Sequence, residues 1–239
     1  MNTTQTILEN AKQSILSQSE SIAKLTQYLT EDFAKTVQLI FESKGRLVVT
    51  GIGKSAIIAQ KMVATFNSTG TPALYLHAAE AIHGDSGMIQ ANDIVLIISK
   101  SGESPEIKNL VQLVKQFGNT IIGMVGNKQS YLATNADLFV DTTVTKEACI
   151  NNLAPTSSST AQMVMGDIIA ENVDIEGRFE GRIKVSGMLS LKSKAVVKGE
   201  VMVGKLSVEP GADFSASCIM KSSVQPPVVP PTSTTENAG

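Results

Sequence analysis

The chain has 239 residues, which is enough for one large domain or two small ones. Its net charge is −2 and only 4% of its residues are aromatic, so it lacks the basic surface and the stacking side chains of a nucleic-acid-binding protein. Its two cysteines make no disulfide framework, and neither a signal peptide nor a membrane span is visible, so we expect a cytoplasmic protein.

Helical patterns alternate with short apolar strands from residue 3 to about residue 167. Apolar residues recur at helical spacing between Ile7 and Phe41, which predicts two helices that pack against a neighbour. The predicted elements that follow are strands over 46–50, 73–76, 93–98, 120–124 and 138–141, and helices over 54–66, over 105–117 and from about Ser158. This alternation predicts an α/β fold with a mainly parallel sheet flanked by helices.

The strand predicted over 93–98 ends in a turn rich in hydroxyl groups, Ser99-Lys-Ser-Gly-Glu-Ser-Pro-Glu106. Ser104 suits the N-cap of the next helix, and Pro105 suits its first position. The turn offers hydroxyls, backbone N–H groups and the positive end of a helix dipole, and a phosphate is stabilised by all three. We therefore predict an anion site at the carboxyl end of a parallel strand, where open α/β sheets bind ligands.

Two other segments carry candidate site residues. Gly51-Ile-Gly-Lys-Ser55 follows the first strand, and its glycines permit close approach of a ligand to the backbone while Lys54 supplies a cation. It lacks the spacing of a Walker loop or of G-x-G-x-x-G, so this segment taken alone favours a tight turn with a solvated lysine. In the segment 76–85, His83 is a candidate site residue, whereas His77 fits a structural role and the spacing does not match a known metal motif.

Glu147 and the hydroxyl cluster over 154–160 complete the candidates. Glu147 is either an acid/base group or a solvated loop carboxylate. The cluster either completes the anion site or caps a helix. Together with Lys54 and Glu106, these groups are suited to binding a sugar phosphate and moving a proton.

After Asp167 the hydrophobic period changes from about 3.6 to 2 residues. Apolar residues alternate with polar ones between Val173 and Val208, and glycines punctuate them. Short strands joined by glycine turns fit a meander, a sandwich fragment or a parallel β-helix, and the near-repeat favours the β-helix. Residues 224–239 are rich in proline and threonine, which predicts a disordered extension.

Residues 1–167 resemble the SIS (sugar isomerase) domain of bacterial arabinose-5-phosphate isomerases. The matching strings are GIGKSA (51–56), FNSTGTPALYLH (66–77), AIHGDSGMI (81–89), ISKSGESPEI (98–107), KEAC (146–149) and LAPTSSSTAQMVMGD (153–167). The resemblance implies interconversion of D-arabinose 5-phosphate and D-ribulose 5-phosphate, an early step towards the Kdo sugar of Gram-negative envelopes. It also implies a homodimer or tetramer and a reaction that needs no cofactor or metal.

The same resemblance assigns roles to individual residues. The catalytic residues it implies are Lys54, His83, Glu106 and Glu147. The residues that it implies for substrate and phosphate binding are Gly53, Ser55, Ser99, Ser101, Gly102, Ser104, Thr156, Ser157 and Ser158. The family then continues its last helix into a His-Pro-Gly-Gly segment whose histidine is an acid/base group, but no histidine follows His83 in this sequence.

Residues 168–223 resemble instead the C-terminal part of a bactofilin, a polymer-forming bacterial cytoskeletal β-helix. The matching strings are DIEGRFEGRIKVSG (174–187), LKSKAVVKGEV (191–201) and KLSVEPGADFSASCIM (205–220). Three hypotheses follow: an isomerase with a β-helical appendage, a phosphosugar-binding domain without catalysis, and a structural protein that self-polymerises through its β segment. We expect an isomerase-type phosphosugar site in residues 1–167, a bactofilin-like segment over 168–223, and a disordered tail over 224–239.

Overall fold

The computed structural model of the protein describes residues 3–171, 173–175 and 178–220. The chain forms two compact units, with the division between Asp174 and Ile175. The tail expected over 224–239 lies outside the described residues. No helix in the described ranges is both long enough and apolar enough to cross a membrane.

The first unit follows the predicted alternation. Its helices are α1 (Thr3–Lys24), α2 (Glu31–Glu42), α3 (Lys54–Thr69), α4 (Ala78–Ile82), α5 (Pro105–Phe117), α6 (Tyr131–Asn135) and α7 (Ser157–Glu171), with short 3-10 helices over Leu25–Tyr28 and Asp85–Met88. Its sheet strands are β1 (Leu47–Gly51), β2 (Ala73–His77), β3 (Ile94–Ser99), β4 (Thr120–Val125) and β5 (Leu138–Asp141). The five strands and the longer helices are those that the apolar runs and the helical periods predict, whereas the five-residue helices α4 and α6 were not predicted.

These strands form one parallel sheet in the order β2–β1–β3–β4–β5. Because β1 lies between β2 and β3, the chain moves to one side of β1 first and to the other side afterwards. Right-handed crossovers then place the connecting helices on opposite faces of the sheet. A crevice therefore opens beyond the carboxyl ends of β1 and β3, and this switch point is where such sheets bind ligands.

The sheet is apolar on both faces, which explains the continuous apolar runs of its strands. β1 and β3 are buried at every position. Val49 and Leu96 pack on one face with Phe66 of α3, while Val48 and Val95 pack on the other face. The two layers fix β1 and β3 rigidly, and with them the loops at their carboxyl ends.

Helix α7 continues to Glu171, beyond Asp167, after which the hydrophobic period of the sequence changes. Ile169 and Ala170 are buried and extend the apolar face to which Met165 belongs. Gly166 does not end the helix, because it lies against Met62 of α3 and an added Cβ would be 2.4 Å from the Met62 methyl carbon. The glycine therefore permits close packing of α3 and α7.

The second unit is built from parallel strands. They are β7 (Arg178–Leu191), β8 (Val196–Val208) and β9 (Asp213–Met220), after the short strand β6 (Val173–Ile175). β8 pairs in parallel with β7 on one side and with β9 on the other. The predicted alternation is confirmed by the buried apolar side chains of Ile183, Val185, Leu189, Leu191, Val197, Val201 and Val203.

Candidate functional site

A cavity of about 250 Å³ opens at the switch point between β1 and β3. It is lined by the loops that follow these two strands and by the first turns of α7. The lining residues are Ile52, Lys54, Ser55, Ser99, Lys100, Ser101, Ser104, Pro155, Ser158, Ser159 and Gln162. Predicted site residues that are far apart in the sequence thus share one wall.

The loop after β1 supplies the cation of the predicted site. Gly53 precedes α3, and Lys54 is the first residue of that helix. The Lys54 side chain is exposed, and among the ion pairs of the described residues none involves it. Next to it, Ser55 Oγ donates a hydrogen bond of 3.2 Å to Gln162 Oε1 on α7. An ammonium group is therefore available to an anionic ligand in the cavity.

The loop after β3 presents the predicted hydroxyl groups. Ser99 Oγ accepts from the Gly102 N–H at 3.0 Å, and Ser101 Oγ accepts from the Glu103 N–H at 3.3 Å. Both hydroxyls keep a proton to donate. Ser104 occupies the predicted N-cap position of α5, but its side chain makes no capping hydrogen bond. Its buried Oγ has no hydrogen-bond partner among the described residues, so it is free to bind a ligand.

Gly102 fixes the turn of this loop. Its φ is +69°, in the left-handed region, and an added Cβ would lie 2.3 Å from Ser130 Oγ. Gly118, at the end of α5, has a similar φ of +76°, but an added Cβ there would meet nothing within 4 Å. The two glycines therefore differ in steric contact and share the same backbone demand.

We expect Gly102→Ala to destabilise the protein by more than Gly118→Ala does. The backbone term should cost roughly 1 to 2 kcal/mol at both positions, and only Gly102→Ala should add the cost of displacing Ser130. Urea unfolding of the two variants measures the difference. Equal loss at both positions would show that the Ser130 contact relaxes without cost.

Glu147 is buried, with a side-chain exposure of 0%, at the amino end of α7. Its carboxylate accepts from Thr156 N–H (2.8 Å) and Oγ (3.2 Å), and from Ser158 N–H (3.1 Å) and Oγ (2.5 Å). Lys100 Nζ lies 2.7 Å from the same group. Burial raises the pKa of Glu147, but the hydrogen bonds from Lys100, Ser158 and Thr156 outweigh it and hold that pKa at about 2. Glu147 is therefore a fixed anion in the free protein, and much of the hydroxyl cluster over 154–160 binds it.

The family model of the SIS domain matches residues 39–172, more than half of the chain. The chain belongs to the SIS domain family. A Haemophilus influenzae protein named "Probable arabinose 5-phosphate isomerase" is 40% identical to it over 212 residues, which cover 87% of this chain and 63% of that protein. Arabinose 5-phosphate isomerase of Pseudomonas aeruginosa is 44% identical over 172 residues, 71% of this chain and 53% of the relative.

Solved structures share the fold of this SIS domain. A protein of E. coli CFT073 in complex with arabinose 5-phosphate superposes with a TM-score of 0.68 at 38% identity, over 71% of this chain and 90% of that one. The NanR protein of Vibrio vulnificus, complexed with ManNAc-6P, has a TM-score of 0.58 at 13% identity, over 66% and 59% of the two chains, and shows the fold alone. This chain spans about half to two thirds of the length of the isomerases it matches.

Several predicted site residues of the SIS domain lie outside the lining of the cavity. His83 is exposed at the end of α4, and Glu106 is half-buried in the first turn of α5. Gly53, Gly102, Thr156 and Ser157 belong to the segments that frame the cavity and do not line it. The expected roles of all these residues stay predictions.

Two polar lining residues, Lys100 and Gln162, were not among the predicted site residues. Lys100 stands between Ser99 and Ser101 in the turn that predicted the site, so its position was the available signal. Gln162 follows Ser158 by four residues, and this spacing places both on one face of α7. Both residues add polar groups to the lining of the cavity.

Proposed function

We propose that the SIS domain binds a sugar phosphate in the switch-point cavity and interconverts D-arabinose 5-phosphate and D-ribulose 5-phosphate. The observation that carries this proposal is the convergence of Lys54 and the hydroxyl loop 99–104 at one crevice, where Ser104 Oγ has no hydrogen-bond partner among the described residues. The relatives named arabinose 5-phosphate isomerase and the neighbour in complex with arabinose 5-phosphate support the same ligand class.

The phosphate belongs at the loop after β3. Ser99, Ser101 and Ser104 offer hydroxyl donors there, and α5 begins at Pro105 with its positive dipole end towards the loop. A phosphate monoester carries close to two negative charges at neutral pH, which hydroxyls, N–H groups and a helix amino end stabilise together.

The reaction then needs a proton to leave carbon 2 of the aldose and return to carbon 1 through an enediolate. Lys54 is the proposed group that stabilises the oxyanion of this intermediate. Glu106, Glu147 and His83 are the proposed proton carriers, as the family resemblance implies. The scheme uses side chains of this chain alone and needs no redox step.

An assay of the purified chain tests the proposal. D-arabinose 5-phosphate is the substrate, and formation of D-ribulose 5-phosphate is followed by NMR, with calorimetry in parallel for binding. Turnover supports the isomerase. Binding without turnover supports the phosphosugar-binding domain instead, and absence of binding contradicts the proposal as a whole.

We infer that the SIS domain forms a homodimer or tetramer. The apolar stripe that predicted packing of α1 is open in the single chain: Ile7 is 62% and Ile15 is 68% exposed, while Ser17 and Ser21 are buried. Such a stripe loses contact with water when a second copy covers it, which is the hydrophobic contribution expected of a subunit interface.

A β-helix is the proposed form of the second unit, similar to the bactofilin segment. Residues 192–195 join β7 to β8, and 209–212 join β8 to β9, yet the paired strands run in parallel. So short a connection cannot return along a straight strand of this length, so the chain has to wrap around in successive coils. Ile183, Val201 and Cys218 then stack in register.

Self-polymerisation through this unit is the second candidate function. On β9, Ile219 and Met220 are more than half exposed, and such apolar edge strands promote pairing between chains. We expect the chain to form filaments in negative-stain electron microscopy at high concentration, and the Ile219→Lys variant to form fewer of them. Uniform small particles from both proteins would contradict this function.

A further inference from the structure

Lys100 is the one group among the described residues that links the cavity to the buried carboxylate of Glu147 by an ion pair. Its side chain is 47% exposed and lines the cavity, and its Nζ lies 2.7 Å from Glu147 Oε1. Its backbone is fixed, because its carbonyl oxygen accepts from the Gly126 N–H at 3.1 Å. The flexible part is therefore the four-carbon side chain, which starts on the same loop as the hydroxyls of Ser99 and Ser101.

Glu147 does not depend on Lys100 alone. Its other four hydrogen bonds come from Thr156 and Ser158, which belong to the segment that opens α7. If the ammonium group turned away, those donors would still satisfy the carboxylate. A buried carboxylate with several neutral donors tolerates such a loss better than one that has a single partner.

A phosphate dianion in the cavity competes with Glu147 for this ammonium group. The phosphate carries about twice the charge of a carboxylate, and Lys100 emerges from the loop on which the phosphate would rest. Lys54 lines the same cavity and follows the loop after β1. Two lysines from the two strand ends of the switch point would then neutralise one dianion.

We propose that Lys100 is a phosphate-binding residue that exchanges Glu147 for the phosphate of the bound sugar. The proposal rests on the phosphosugar function above and assigns a residue to it. Exchange also removes one of the hydrogen bonds that lower the pKa of Glu147. Arrival of the substrate would thus move Glu147 towards the range in which a carboxylate accepts protons.

The test compares the binding of D-arabinose 5-phosphate and of unphosphorylated D-arabinose by calorimetry. We expect Lys100→Met to raise the Kd of the phosphorylated sugar roughly tenfold to a hundredfold, with no comparable change for D-arabinose. Lys100→Arg should keep most of the affinity, because it keeps the charge. The matched control is Lys108→Met, which removes a lysine paired at the same 2.7 Å with Glu103 but outside the cavity lining.

Binding measurements in the Glu147→Gln background distinguish direct phosphate binding by Lys100 from a purely structural role of its ion pair with Glu147. If Lys100 binds the phosphate directly, Lys100→Met still weakens binding when it is compared with Glu147→Gln alone. The double variant also removes the uncompensated buried charge, so it remains informative if Lys100→Met fails to fold. An unchanged Kd in Lys100→Met, or an effect that disappears in the Glu147→Gln background, overturns the proposal. If the unmodified chain does not bind D-arabinose 5-phosphate at all, the proposed function is overturned as well.

Discussion

Lys54→Met is expected to lower kcat/KM for D-arabinose 5-phosphate roughly a hundredfold to a thousandfold, the usual effect of removing one group that stabilises an oxyanion. Lys54 lines the cavity and forms no ion pair among the described residues, so its positive charge is not already neutralised. The measurement is steady-state kinetics by NMR or a coupled assay on both proteins.

Stability should separate a chemical role of Lys54 from a structural one. Because Lys54 is exposed, Lys54→Met should change the free energy of unfolding by less than about 0.5 kcal/mol. Lys44→Met is the matched control, since Lys44 is an exposed lysine that precedes the amino end of β1, whereas Lys54 follows its carboxyl end. Wild-type kcat/KM in Lys54→Met would remove Lys54 from the reaction, and an equal loss in Lys44→Met would point to a general charge effect.

The elements of the first unit could be predicted because its strands are buried on both faces. A strand such as β3, which is buried on both faces, requires a continuous apolar run, and the polar residues Asp93 and Ser99 mark its ends. The order of the strands could not be predicted in the same way. Val48 and Val95 are equally apolar, and nothing in such runs states which strand lies next to which.

The burial and the hydrogen-bond partners of Glu147 could not be predicted from the sequence. Its neighbours in sequence suggested an acid/base group or a solvated loop carboxylate. The structure buries it, because Thr156 and Ser158 follow at a distance that lets the chain fold back around it. The third partner residue, Lys100, lies on the loop after β3, so its contact with Glu147 depends on the assembled sheet.

Helix α7 extends beyond the point at which the hydrophobic period changes, and the reason is comparable. A glycine such as Gly166 often ends a helix. In the fold, Gly166 faces Met62 at a close helix crossing, and Asp167 forms an ion pair with Lys61 of the same α3 helix. A single sequence does not distinguish a glycine that permits close helix packing from a glycine that ends a helix.

Glu147→Gln is expected to lower the free energy of unfolding by about 3 kcal/mol at pH 7, because the hydrogen bonds that favour the ionised carboxylate in the folded protein lose their charge-assisted part. The pKa of Glu147 is about 2 in the folded protein, against 4.5 for the ordinary group. A lowered pKa in the folded state means that the ionised carboxylate stabilises the fold at any pH above the ordinary value. As the pH falls from about 4.5 towards 2, this contribution is lost.

The difference in stability between the unmodified chain and Glu147→Gln should therefore be constant from about pH 7 to about pH 5 and shrink below that. Urea unfolding at several pH values measures this difference. Glu20→Gln is the control, because Glu20 is an exposed glutamate of α1 and its replacement should leave the free energy of unfolding almost unchanged. A difference that stays constant down to about pH 3 would contradict the prediction, because the fixed negative charge of Glu147 would then contribute nothing to it. A shrinking difference would instead confirm that the amino end of α7 is stabilised by an ionised carboxylate, the same charge that Lys100 leaves when it turns to a phosphate.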